Sequence, residues 1–362
     1  SILHLLNIVQ KNSIQKQLQE FGNKLSSIEM DVINYNDKIY EIQSEFLEIL
    51  NSKKGSSVKM LGELLPAYQE KLALIRENNE TLTGCTSGYP ELDKITHGFQ
   101  PGDMIILAAR PGIGKTALAI NFMLNAAKEK HQWNLDNPSE KPKGILFFSM
   151  EMGESQICER LVAAESCVDI STTKKGNWNN TESFSISEAI TRLSQYPIFI
   201  DDSSNLSIIE IQSKIKQTSS KYKLELVIID YLQLLKGPQI RGGLMNRQQE
   251  VSSISKIIKD IARQYEVPII AIAQLSRKIE ERRGENRKPI LSDLRESGSI
   301  EQDADIVSFI SYKIEEGENN HQEYNNDCVV EYIIAKHRNG ETASIEFLFK
   351  KTIGKYLSWR GK

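Results

Sequence analysis

An apolar run, Met104 to Ala109, leads directly into Ala109-Arg110-Pro111-Gly112-Ile113-Gly114-Lys115-Thr116, and a helical pattern follows over residues 117–130. A strand, a glycine-bearing turn and a helix in that order leave the chain little freedom, because the helix must present its N-terminus at the end of the strand. Glycines let backbone N–H groups turn inward around phosphate oxygens, and the helix terminus adds the positive end of its dipole. In that setting Lys115 reaches the β- and γ-phosphates of ATP and the Thr116 hydroxyl is a ligand for Mg²⁺. The expected nucleotide-binding set is Arg110, Pro111, Gly112, Ile113, Gly114, Lys115, Thr116 and Ala117. Ala109 stands where the first glycine of G-x-x-x-x-G-K-[ST] is usual, at a strand end that can accommodate a methyl group.

Further apolar runs at 144–149, 197–201, 225–230, 268–274, 305–311 and 328–335 alternate in part with helical patterns. Runs that are continuous rather than alternating imply a sheet buried on both faces. The predicted fold class is therefore α/β around a mainly parallel sheet, with ligands at the carboxyl ends of the strands. Those ends supply three more side chains. Asp230 closes the run Leu226-Val227-Ile228-Ile229; alone it reads as a turn or cap residue, but downstream of the glycine loop it becomes the carboxylate that holds Mg²⁺ through water. Glu151 follows the run 145–150, where a base for the attacking water is needed, and its plainer reading is a helix-start glutamate. Gln274 ends the run 268–274, where a neutral amide can read the γ-phosphate; its plainer reading is a satisfied amide at the edge of the core. The polar stretches 128–143 and 313–327 read as surface excursions.

Residues 3–50 carry Leu18, Phe21, Leu25, Ile28, Ile39, Ile42, Phe46, Leu47 and Leu50 at helical spacing without a proline, which predicts two helices joined over 31–37. Leu64, Leu65, Tyr68, Leu72 and Ile75 form one helical stripe, with Pro66 suited to a first turn. The expected organisation is a helical hairpin over 1–60, a linker with an amphipathic helix over 61–82 and the α/β unit over 83–362. An apolar stripe between linkers needs a partner, either another subunit or the core of its own α/β unit.

The formal net charge is −3, so any nucleic-acid contact must be local. Residues 277–295 supply one candidate, with seven Lys/Arg against four Asp/Glu. Gly242-Gly243 with Arg241 and Arg247 is a second, flexible and basic. The four cysteines show no CxxC spacing, which argues against a zinc site or a disulfide framework and for a reducing compartment. No apolar run approaches the roughly 20 residues of a membrane span.

These elements in this order resemble the DnaB-type replicative helicases, hexameric ring motors on a RecA-like core. The resemblance rests on 83–93, His97-Gly98-Phe99-Gln100-Pro101-Gly102-Asp103, the loop 110–116, Ser149-Met150-Glu151-Met152, Asp230-Tyr231-Leu232-Gln233 and Gln274-Leu275-Ser276-Arg277. Its longest stretch is 292–305, SDLRESGSIEQDAD, joined by Lys336-His337-Arg338-Asn339-Gly340. The N-terminal 80 residues resemble the family's hairpin and linker helix more loosely, without the globular head that precedes them there. What the resemblance implies is a RecA-like P-loop ATPase preceded by that hairpin and helix, moving 5′ to 3′ on single-stranded DNA in the bacterial cytoplasm at the nucleoid or in a plastid stroma. Primase and a helicase loader would be its partners. It assigns Lys115, Glu151 and Gln274 to catalysis, and it makes Arg338, with Lys336 beside it, an arginine finger for the next subunit's ATP. It also lines the central channel with Arg295, Glu296 and Gly298. The rival readings are a RecA-type DNA-stimulated ATPase and a nucleotide-dependent assembly or loader factor.

Overall fold

The computed structural model describes residues 15–16, 19–26, 42, 60–77, 82–237, 246–276, 279, 282, 288–294, 298–313, 323–324 and 327–359. The chain divides into two units, Ser1–Glu77 and Asn78–Lys362.

In the first unit residues 19–26 are helical, and most of the expected hairpin lies outside the described residues. Helix α1, Leu61–Glu77, carries the expected stripe, with Leu64, Leu65, Tyr68 and Leu72 all exposed. It begins earlier than its proline suggested. Glu63 N–H already bonds the Met60 carbonyl at 2.9 Å, so Pro66 lies inside the helix instead of in its first turn. Its ring removes one backbone donor there.

The second unit opens with α2 (Pro90–Thr96), β1 (Met104–Ala109), α3 (Lys115–Asp136), β2 (Lys143–Ser149), α4 (Glu154–Ser166), α5 (Ile170–Lys175), α6 (Asn180–Leu193) and β3 (Ile198–Asp201). It continues through α7 (Ile208–Lys221), β4 (Lys223–Asp230), α8 (Arg247–Tyr265), β5 (Ile269–Gln274), α9 (Gly298–Asp303) and β6 (Ile306–Tyr312). It ends with β7 (Glu323–Tyr324), β8 (Asp327–His337), β9 (Ala343–Lys350) and β10 (Lys355–Ser358). One sheet runs β10-β9-β8-β6-β1-β5-β4-β2-β3, with β7 paired to β8. Every pair from β3 to β6 along that order is parallel, which is the mainly parallel α/β sheet that the apolar runs predict. The margin β8-β9-β10 is antiparallel. Strand β9 gave no continuous apolar run because its residues alternate between buried and partly exposed.

The apolar runs are continuous because each strand feeds two cores. Ile105, Leu107 and Ala109 of β1 pack with α3 and α4 on one face. Met104, Ile106 and Ala108 pack with α7 and α8 on the other. Each fully buried Ile or Leu contributes roughly 1.5–3 kcal/mol of transfer free energy, and β1 is buried along its whole length. It is the fixed member against which the loop at its end is aimed.

Most of the stretch 128–143 is exposed, as a surface excursion is, but its first part is helix. Helix α3 continues to Asp136, held by Lys130, which is buried against Glu225 at 3.6 Å. Asn134 exchanges two hydrogen bonds with the Lys143 backbone at 2.8 and 2.9 Å, and the Lys143 ammonium lies 4.0 Å from the Trp133 ring centroid. Of the stretch 313–327, the described part includes β7, and most of the rest lies outside the described residues.

Candidate active site

Parallel register brings the carboxyl ends of four strands together. Ala109 pairs with Gln274 and Ser149 with Asp230, so the turn after β1, Glu151 just beyond β2, Asp230 and Gln274 share one edge of the sheet. A cleft of about 470 Å³ opens there, lined by Pro111 to Ala117 except Ile113, and by Glu151, Arg160 and Phe349 among others. Lysines 115, 174 and 351 also line it. With Arg160 they exceed the two glutamates of the lining, 151 and 159, a balance suited to a polyphosphate.

The turn has the conformation its glycines predict. Gly112 and Gly114 have φ of 82° and 104°, a region that side chains with a Cβ rarely adopt. A Cβ on Gly114 would also lie 2.4 Å from the Tyr356 hydroxyl. That hydroxyl bonds the carbonyls of Ile113 at 3.3 Å and Gly114 at 3.2 Å, and Tyr356 stacks on Phe349 with ring centroids 4.3 Å apart. The loop is therefore braced from β9 and β10, and Gly112, Gly114 and the first residues of α3 line the cleft. On the other flank, Arg110 donates to the Leu275 carbonyl at 3.0 Å.

Asp230 is completely buried, and neither carboxylate oxygen has a hydrogen-bond partner. Burial pushes its carboxyl above the usual range, against the pull of the nearby Thr116 hydroxyl and Lys115 ammonium, while Glu151 adds repulsion. Two orphaned acceptors beside a hydroxyl at a helix N-terminus are what a hydrated Mg²⁺ would satisfy. The described residues contain no cluster of three or more His, Cys, Asp or Glu that could hold a metal by themselves.

Two groups near the cleft were not legible in the sequence. Arg160 lies on α4, on the same wall as Gln156 and Glu159, and it lowers the Asp230 pKa. Its signal was the polar face of the helix that follows Glu151. Tyr356 arrives from the far end of the chain and had no local signal.

The remaining expected residues lie elsewhere. Arg338 follows β8, whose His337 pairs with Ile306 at the start of β6. Its N–H and the Met104 N–H both engage Asp305. It therefore stands at the amino end of β1, roughly 20 Å along the strand from the phosphate loop. Lys336 donates to the carbonyls of Glu301 and Ala304, the latter at 2.7 Å, at the C-terminal end of α9. Arg247 is engaged by Glu250 and by the Gln233 carbonyl, while Arg241 lies outside the described residues.

Of the expected DNA loop, Arg295 and Glu296 lie outside the described residues, and Gly298 begins α9. Its stem is tied to the strand end that carries Gln274. Ser276 N–H bonds the Asp293 carbonyl at 2.9 Å, and Leu275 bridges Leu294. The buried Asp293 carboxylate takes both Nη groups of Arg282 and the Ile290 N–H, so one cation of the basic stretch is neutralised internally.

Around Asp103 the same amino end of β1 gathers charge. Burial, with Asp305 beside it, pushes the Asp103 carboxyl from about 3.8 up to about 6, against Lys259, Arg338 and Arg263. A folded-state pKa above the unfolded one means that the folded chain holds the proton more tightly, so stability falls as pH rises from about 4 to 6. Asp103→Asn is expected to gain about 1 kcal/mol at pH 7, after discounting for partial exposure, and about 2 °C in Tm. Calorimetry at pH 4 and pH 7 checks this, and an equal gain at both would refute it.

A family model described as the DnaB-like helicase C terminal domain matches residues 84–358. The replicative DNA helicase DnaB of Mycoplasma genitalium is 38% identical over 357 residues, covering 98% of this chain and 74% of that protein. A solved structure described as a DnaB-like replicative helicase and its interactions with primase has a TM-score of 0.76 at 30% identity, over 99% of this chain and 78% of its own. A second solved structure, described as an ATPase domain, has a TM-score of 0.71 at 32% identity, over 84% of this chain and all of its own. The cleft at the strand ends thus stands on a RecA-like sheet in a chain that belongs to the DnaB-like helicase family.

Proposed function

We infer that this chain is a replicative DNA helicase driven by ATP hydrolysis. The observation that carries the chemistry is the buried, partnerless Asp230 carboxylate beside Thr116 and Lys115 at the head of α3. Thr116 and, through water, Asp230 would hold Mg²⁺, which when bound neutralises charge on the β- and γ-phosphates. Lys115 and the loop N–H groups hold the phosphates, and Arg160 adds positive charge on the facing wall. Glu151 takes the proton of the attacking water, and its exposed position leaves it accessible to that water. Gln274 reads the γ-phosphate with a neutral amide.

Arg338 is too far from the loop of its own chain to serve it, which supports action on the nucleotide of a neighbouring copy, with Lys336 beside it. The assembly proposed is a hexameric ring in which each site lies between subunits and α1 docks its exposed stripe on the next copy. DNA passes the loop of Arg295, Glu296 and Gly298, with Arg241 as a further basic contact. Among the described residues nothing lies within 4 Å of a Cβ placed at Gly298, which leaves its backbone open to close approach by a phosphate. The stem contact between Leu275 and Leu294 gives Gln274 a short route to that loop. The proposed setting is the bacterial cytoplasm at the nucleoid, or a plastid stroma, with primase and a loader as partners. No helix among the described residues is long and apolar enough to cross a membrane.

The test is unwinding of a forked DNA with ATP and Mg²⁺, with the 5′ tail blocked in one substrate and the 3′ tail in another. Strand separation is expected to disappear only when the 5′ tail is blocked. Unwinding abolished by the 3′ block would refute the polarity, and DNA-stimulated ATPase without unwinding would favour the RecA-type ATPase reading.

A further inference from the structure

The charged side chains at the start of β1 are not accounted for by the cleft at its other end. Asp305 is 3% exposed. One carboxylate oxygen accepts from the Met104 N–H at 2.8 Å and from the ammonium of Lys259, which is itself buried and also donates to the Gly102 carbonyl at 2.7 Å. The other accepts from Arg338 Nη1 at 3.0 Å. Arg338 Nη2 donates to the Gln302 carbonyl at 3.0 Å, and its backbone N–H donates to the Asp305 carbonyl at 2.8 Å. A solvated turn at Asn339-Gly340 needs none of this, and burying a carboxylate is costly unless each partner is in place. The Arg338 side chain nevertheless remains 42% exposed, and a guanidinium has five N–H donors. Donors are therefore left over for a group outside the chain.

We propose that Asp305 is a positioning residue for Arg338, its buried carboxylate holding one part of the guanidinium so that the remaining donors are available to a nucleotide bound by a neighbouring copy. This rests on the reading of Arg338 as a finger acting in trans. A free arginine reaching across an interface loses most of its side-chain freedom on each cycle, whereas one already held in place has lost it in folding. The anchor also adjoins the DNA loop. Asp305 follows Ala304, whose carbonyl accepts from Lys336 at the end of α9, so anchor, finger strand and the helix beyond the loop form one bonded cluster.

The experiment compares Asp305→Asn, Lys115→Ala and Arg338→Ala in the full chain, alone and in mixed rings. Asp305→Asn alone is expected to lower kcat for ATP by about tenfold or more with KM nearly unchanged, because its own phosphate loop is intact. Mixed with Lys115→Ala subunits, whose own sites are dead but whose fingers are sound, Asp305→Asn subunits are expected to recover turnover above either homomeric ring. A merely structural defect would stay with its own subunit, so absence of recovery would overturn the proposal, as would wild-type kcat for Asp305→Asn. Should Asp305→Asn fail to assemble, Lys259→Gln leaves the carboxylate but releases its far oxygen, and the same loss and recovery are expected. Wild-type turnover in Arg338→Ala would instead overturn the finger reading itself.

Discussion

Glu151→Gln is expected to keep nucleotide binding and lose hydrolysis. Glu151 lines the same cleft as Lys115 and Thr116 but is not among the groups proposed to hold the phosphates, which are Lys115, Thr116 and the loop N–H groups. Replacing a carboxylate with an amide of the same shape removes the proton acceptor and leaves those groups in place. A positioned general base contributes typically about 10²–10⁴ in rate, or about 3–5 kcal/mol of barrier. Binding should hold or tighten, because the change removes a negative charge from a cleft meant for phosphates. It also removes one cause of the raised Asp230 pKa, since Glu151 repels the ionised form of that buried carboxylate. Asp230 then ionises at lower pH, which favours the metal site. Single-turnover hydrolysis together with binding of a fluorescent ATP analogue checks both halves. A wild-type hydrolysis rate would remove Glu151 from its role, and loss of binding would make it a structural residue of the cleft.

Where the chemistry depends on neighbours along the chain, it is legible in the residues themselves. The turn 110–116 carries its own constraints in its glycines, and the strands announce themselves because each is buried on both faces. Asp230 and Gln274 follow from that, being the residues that end two such strands. Residues whose partners lie far along the chain were not readable. Tyr356 braces Ile113 and Gly114 from more than 240 residues away, and nothing in the run Lys355–Ser358 distinguishes a tyrosine that packs from one that positions. Asp305 ends the polar stretch of a recognisable motif, yet its engagement with Lys259, Met104 and Arg338 depends on parallel pairing of β1 with β6 and antiparallel pairing of β6 with β8. Arg247 shows a second limit. Its charge marks it as a candidate phosphate contact, and the engagement of part of its guanidinium by Glu250 one helical turn away and by the Gln233 carbonyl is not visible in that charge. Charge composition alone does not separate a cation offered to solvent from one already satisfied.

Arg338→Ala is expected to disable sites it does not belong to. An arginine that stabilises transition-state charge on a transferring phosphoryl group is worth about 10³–10⁵ in kcat, or about 4–7 kcal/mol. The substitution should leave nucleotide affinity in the variant's own cleft nearly unchanged, because Arg338 stands at the amino end of β1 and the phosphate loop at its carboxyl end. The fold should also stand, since Lys259 continues to compensate Asp305 after the guanidinium is gone. Mixing is the discriminating measurement. If Arg338 served its own chain, rings mixing Arg338→Ala with Lys115→Ala subunits would hold no complete site, and turnover would stay at the level of the homomeric rings. If Arg338 completes a neighbour's site, each Arg338→Ala subunit keeps a sound phosphate loop that a Lys115→Ala neighbour can complete with its own intact arginine. DNA-stimulated turnover should then rise on mixing above that of either homomeric ring. No recovery would mean that Arg338 does not act across the subunit boundary, and the contact with Asp305 would then be a structural ion pair at the edge of the sheet.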